Sequence, residues 1–157
     1  MEQGYRVSEA DPSLYVRERD GITVYVLVYV DDVLIASISL KAVIAVKAEL
    51  MSQFDCRDMG KATMFLGMLI KRDHATSYLS LSQPRLIEEL VQLYGMGSAR
   101  SKPVPMAEGS HLAQASLEKR LDWERYSYSE LIGSLLYISG CTRPNISQAV
   151  GVLRCTR

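Results

Sequence analysis

Apolar and polar positions alternate with a period of two over residues 14–17 and again over 22–30. In the second run Val24, Val26, Val28 and Val30 fall on one face of a strand, and Tyr25, Leu27, Tyr29 and Asp31 on the other. Asp20-Gly21 supplies the turn between the two runs. Asp32 then opens a turn into a third apolar run, residues 33–38. The pattern predicts a three-stranded antiparallel meander with one dry face. Two adjacent carboxylates sit at its last reversal.

The period changes after residue 39. Leu40, Val43, Ile44, Leu50, Met51 and Phe54 recur at helical spacing, with Ser39 placed to cap the helix, which would cover the dry face. A polar exit loop follows at 55–60. Runs at 62–70 and 78–82 predict a second hairpin across 71–77, in which Gly67 marks a bulge, a close backbone approach or a simple kink. Pro84 opens a helix that Gly95 ends, with Leu86, Ile87, Leu90, Val91 and Tyr94 as its apolar set. Residues 95–114 contain Pro103 and Pro105 and read as an extended connector, a length that suggests a subdomain boundary. Ser127-Tyr-Ser-Glu130 is a capping box opening a helix over 128–139. Thr142-Arg-Pro144 opens another, with Thr142 as its cap. The fold class is α+β, and the chain has no internal repeat.

Composition changes this picture little. A chain of 157 residues with 48% apolar content is globular and long enough for a core. No apolar run approaches about 18 residues and no signal-like start precedes the first strand, so the chain reads as soluble and intracellular, without a membrane partner. Eighteen basic and eighteen acidic residues cancel, which gives no independent support for nucleic-acid binding. Lys71-Arg72, Arg100 with Lys102, and Arg143, Arg154 and Arg157 are small basic clusters, each also readable as ordinary solvated surface. Cys56, Cys141 and Cys155 lack metal-ligand spacing, and His74 and His111 have no partners nearby. Reduced, mostly buried thiols are expected, and zinc or thiol chemistry is not supported.

The carboxylate pair is the candidate for chemistry. Asp is common where hairpins reverse, so Asp31 and Asp32 can be turn formers only. Yet nothing in Asp-Asp readily supplies positive φ, and two like charges side by side repel, a cost that a bound cation relieves. Two carboxylates at a rigid tip also suit a hard divalent ion. Spacing alone leaves turn and metal site as equal alternatives.

Several blocks together carry a resemblance. Tyr29-Val30-Asp31-Asp32 resembles the Tyr-x-Asp-Asp signature of reverse transcriptases, and residues 27–35 (LVYVDDVLI) resemble its form in copia-type retrotransposons. Asp11-Pro-Ser-Leu-Tyr15 resembles the segment leading into that hairpin, and Phe65-Leu66-Gly67-Met68 the primer-grip turn. Leu81-Ser-Gln-Pro84 through Tyr94-Gly95-Met96, Pro103-Val-Pro105, Glu130-Leu-Ile-Gly-Ser-Leu-Leu-Tyr137 and Thr142-Arg-Pro144 follow in family order.

The resemblance implies an RNA-directed DNA polymerase of a Pol polyprotein, a nucleotidyltransferase that adds deoxynucleotides to a primer on a template. In the family two divalent ions roughly 4 Å apart clamp the attacking and leaving oxygens. It implies Mg²⁺ (or Mn²⁺) at Asp31 and Asp32 as catalytic and metal residues. Tyr29 and Val30 would lie near the primer terminus, and Phe65, Leu66 and Gly67 would hold the primer backbone. Residues 1–82 would form part of a palm with catalytic and primer-grip hairpins, and 83–157 a thumb-like helical region.

Departures are expected too. A further catalytic Asp and a nucleotide-binding segment would lie before residue 1, because Gln3-Gly4-Tyr5-Arg6 already resembles sequence downstream of them. Fingers and a ribonuclease H domain are likewise outside the chain. Asn145 stands where the family commonly has Asp, which removes a charge favourable at a helix start, worth about 0.5 kcal/mol. The expectation is a polymerase fragment inactive by itself. The alternatives are a non-catalytic module binding nucleic acid or protein, and an unrelated α+β domain.

Overall fold

The computed structural model describes residues 4–107, 109 and 127–155; His111, Arg157 and the later part of the expected connector lie outside them. The chain divides into two compact units, Met1–Phe65 and Leu66–Arg157. Both are mixed α and β with antiparallel pairing.

The first unit is built on a sheet of four strands in sequence order: β1 (Arg6–Val7), β2 (Leu14–Arg19), β3 (Ile22–Tyr29) and β4 (Asp32–Ser37). The expected meander is there, extended by β1, which at two residues is too short to show a period. Asp20 and Gly21 join β2 to β3, and both take positive φ, as the twist of a two-residue hairpin requires. Val24 and Val26 are buried on one face, with Val28 and Ile35 packed beside them.

Helix α1 (Leu40–Gln53) covers that face, and the Ser39 hydroxyl accepts the Ala42 N–H at 3.4 Å as its cap. The buried stripe of α1 differs from the expected set. Val46 is fully buried, with Ala42 and Leu50 one turn to either side, whereas Leu40, Ile44, Met51 and Phe54 are exposed. Arg17, opposite Val24 on the same sheet face, pairs with Glu49 of α1 at 2.9 Å and stacks over the Tyr5 ring at 4.5 Å. Partial burial raises the Tyr5 pKa above its ordinary value, and the Arg17 charge opposes that shift. After α1, the Lys47 ammonium donates to Asp58 at 2.7 Å and fastens the exit loop to the helix. That bond and one from the Gly60 N–H hold the Asp58 carboxyl below its usual pKa. The two-residue strand β5 (Met64–Phe65) ends the unit.

The second unit opens with the expected hairpin, formed by β6 (Met68–Asp73) and β7 (Tyr78–Ser82), but residues 71–73 of the expected connection belong to β6, and the strand expected over 62–70 is broken between β5 and β6. Helix α2 (Pro84–Leu93) follows, with Leu86, Ile87, Leu90 and Val91 half-buried. The Met96 N–H returns to the Val91 carbonyl past Gly95, which has φ +63. Residues 95–107 contain no helix or strand.

Ser127 accepts the Glu130 N–H and opens α3 (Tyr128–Cys141), the Ser127 half of the expected box. Thr142 does not cap a following helix. It ends α3, its hydroxyl donates to the Gln83 side-chain oxygen at 2.7 Å, and a 3₁₀ turn (Pro144–Ile146) leads into α4 (Ser147–Cys155). Ile132, Ile138, Ala149 and Val150 are the buried apolar residues of α3 and α4, and the Tyr128 hydroxyl donates to the Leu153 carbonyl at 2.6 Å. Cys56 and Cys155 are exposed rather than buried, and Cys141 is half-buried. Among the described residues no helix is long and apolar enough to cross a membrane.

Candidate functional site

The tip of the β3–β4 hairpin positions the carboxylates. Tyr29 pairs with Asp32, leaving Val30 and Asp31 as a two-residue turn. Asp32 therefore begins β4 rather than opening the turn, and Val30 leaves the valine face altogether. Cross-strand pairing puts Tyr29 and Asp32 on the sheet face away from α1, together with Tyr25, Leu27 and Leu34. Asp31 projects at the apex. Both carboxylates are exposed, and among the described residues neither has a hydrogen-bonding or ion-pairing partner.

The positive φ that Asp-Asp does not supply falls on Val30, at +53, with its side chain 83% exposed. A β-branched residue in the left-handed region costs about 1–2 kcal/mol, and the exposed side chain recovers almost nothing by packing. Val30→Gly removes that strain at the expense of about 0.5–1 kcal/mol of unfolded-chain entropy. Urea unfolding should show the variant more stable by about 0.5–1 kcal/mol. Unchanged or lower stability would mean that the turn stores no strain.

A second turn lies at Leu66 and Gly67, between β5 and β6, with φ +48 and +72. Gly67 thus stands in a reversal rather than a bulged strand, and a Cβ there would meet nothing within 4 Å. Phe65 and Leu66 are half-buried and Gly67 is exposed. The Leu66 carbonyl accepts a hydrogen bond from the Tyr137 hydroxyl at 2.6 Å. Reasoning from sequence missed this contact; the one signal is that a family-like block ends on Tyr137.

An oxygen-only, solvent-facing pair fits a hard divalent cation, which takes its remaining ligands from water and substrate. Among the described residues no group of three or more His, Cys, Asp or Glu side chains converges. Asp31 and Asp32 are the adjacent carboxylates at the hairpin tip, with no third such side chain converging on them among the described residues.

A sequence model of the family described as reverse transcriptase (RNA-dependent DNA polymerase) matches residues 1–108. The chain belongs to the reverse transcriptase family. Its branch is the copia-type retrotransposon one. The chain is 33% identical over 156 residues to the retrovirus-related Pol polyprotein from transposon TNT 1-94 of Nicotiana tabacum. It is 36% identical over 150 residues to that from transposon RE1 of Arabidopsis thaliana. Each alignment covers 96% of this chain but 12% and 10% of the respective polyprotein. An uncharacterized mitochondrial protein of Arabidopsis thaliana is 33% identical over 85% of this chain and 52% of its own length. The chain therefore spans about a tenth of the Pol polyproteins it resembles. No solved structure matches it significantly. The family match takes in both turns and α2, while the Pol alignments reach into the helices beyond them.

Proposed function

We propose that this chain is the catalytic-hairpin and duplex-gripping part of a retrotransposon reverse transcriptase, a nucleotidyltransferase extending a primer on an RNA template. The observation that carries the reading is the Tyr29–Asp32 hairpin, a strained tip presenting two adjacent, unpartnered carboxylates on a family-matched sheet. Asp31 and Asp32 would hold Mg²⁺ or Mn²⁺, which would supply positive charge at the transferring phosphate and the primer hydroxyl. Tyr29, on the face that carries Asp32, offers its half-exposed ring to the primer terminus, with Val30 beside it. Phe65, Leu66 and Gly67 form the surface against the primer backbone, where the missing Cβ of Gly67 admits close approach. Residues 1–82 act as the palm part and 83–157 as the thumb-like part.

Lys71, Arg72, Arg100, Lys102, Arg143 and Arg154 are exposed in the second unit and are the candidate phosphate contacts. Two ions need more than one adjacent carboxylate pair, so the 157-residue chain alone should bind a primer–template but not extend it. Binding of an RNA–DNA duplex with a recessed primer 3′ end, followed by anisotropy, should exceed that of the blunt duplex and fall steeply with salt. Primer extension with Mg²⁺ or Mn²⁺ should show no incorporation. Equal or absent binding of the two duplexes sinks the duplex-gripping role, and incorporation by the chain alone sinks the need for further ligands.

A second reading, a module that binds without catalysing, draws on β4, an edge strand paired on one side only and with Val33 exposed. Such an edge accepts a strand from a protein partner. A complex formed with protein but with neither duplex would favour it.

A further inference from the structure

The Tyr137 hydroxyl reaches the Leu66 carbonyl across 71 residues of sequence. The turn it meets holds a non-glycine residue at φ +48, a conformation that a free chain disfavours. A turn of that kind keeps its shape only where its surroundings over-determine it. Here α3 supplies them, because α3 is fastened at both ends within the same unit. At its start the Ser127 carbonyl accepts from the Tyr94 hydroxyl at 3.0 Å, just past α2. At its end the Thr142 hydroxyl donates to Gln83, a fully buried side chain at the junction of β7 and α2. The helix is a splint from α2 to the Leu66–Gly67 turn, and Tyr137 is the peg between splint and turn.

We propose that Tyr137 is a positioning residue that locks the Leu66–Gly67 turn to α3, so that the helices gripping a duplex and the turn holding the primer end act as one rigid piece. The inference rests on the proposed function. Tyr137 need not touch the nucleic acid, and it acts through the carbonyl it holds.

Tyr137→Phe deletes the donor and keeps the ring, which is 42% exposed. The preference of the whole chain for the recessed duplex over the blunt one should fall about three- to tenfold, the usual weight of one hydrogen bond. The salt slope should stay the same, because no cation is altered. Amide exchange at Gly67 and Met68 should quicken. Tyr128→Phe is the control: it loses a hydroxyl bond of the same length in the same unit, made to Leu153 of α4 and not to the turn. It should leave the preference intact. Preference retained in Tyr137→Phe with quickened exchange reduces the bond to a structural one and overturns the proposal. Preference retained with unchanged exchange overturns it too, by removing the tether. A wild-type chain with no preference for the recessed end fails before any variant is compared, and that result condemns the proposed function itself.

Discussion

Asp31→Asn or Asp32→Asn should lower nucleotide incorporation on the order of a thousandfold once the chain is fused behind the preceding Pol segment of a relative such as TNT 1-94. The size follows from what a bound divalent ion contributes, several kcal/mol of charge stabilisation at the transferring phosphate, with each 1.36 kcal/mol worth tenfold. Asn preserves the shape of the hairpin, since it is tolerated in tight turns as readily as Asp. The fold is therefore unaffected and the loss reports on the negative charge. Asp20→Asn is the matched control, a similar change in the neighbouring hairpin of the same sheet, at a residue with φ +52 and a 90% exposed side chain. It should leave incorporation unchanged. Steady-state extension of a labelled primer measures all three. Full activity in the Asp31 and Asp32 variants would return the pair to the status of turn formers.

The largest effect on stability should come from Val46→Asp. Val46 has no exposure and fills the gap between α1 and Val24 and Val26. A carboxylate there loses its water and gains no partner, which costs several kcal/mol. Losing the valine methyls costs about 1–3 kcal/mol more. Marginal stabilities of about 5–15 kcal/mol leave little after such a loss, so the first unit should lose its cooperative unfolding transition and its dispersed amide spectrum. Ile44→Asp, on the outer side of the same helix at 57% exposure, should change stability by no more than about 0.5 kcal/mol. Comparable damage at the two positions would mean that α1 does not bury the face described.

That contrast shows where the sequence was legible. Val24, Val26 and Val28 announced their face because a strand of β-branched residues leaves only two choices of side. Leu40, Val43, Ile44, Val46, Leu50 and Met51 of helix α1, with Phe54 just past its end, are spread most of the way round, so periodicity could not choose the stripe. The valine face of the sheet chose it, selecting Ala42, Val46 and Leu50. The carboxylate pair was visible as chemistry, but its register was not. A β-branched residue with positive φ runs against local preference, so the turn was expected one residue late. Ser39, Ser127 and Gly95 act locally and were readable as helix punctuation. Thr142 and Tyr137 act over long range, and no local pattern foretells a bond across 59 or 71 residues.

The two units also differ in when they can be completed during synthesis. In the first, β2–β3 and β3–β4 are neighbouring hairpins and α1 follows at once, so the sheet and its cover can assemble while later residues are still being added. In the second, the bonds from Tyr94 to Ser127, Gln83 to Thr142 and Leu66 to Tyr137 close loops of 33, 59 and 71 residues. Residues 66–94 must therefore leave the ribosome and wait, with Gln83 and the Leu66 turn unanchored, until α3 emerges. The carboxylate hairpin is ready early, and the Leu66–Gly67 turn is among the last parts to set.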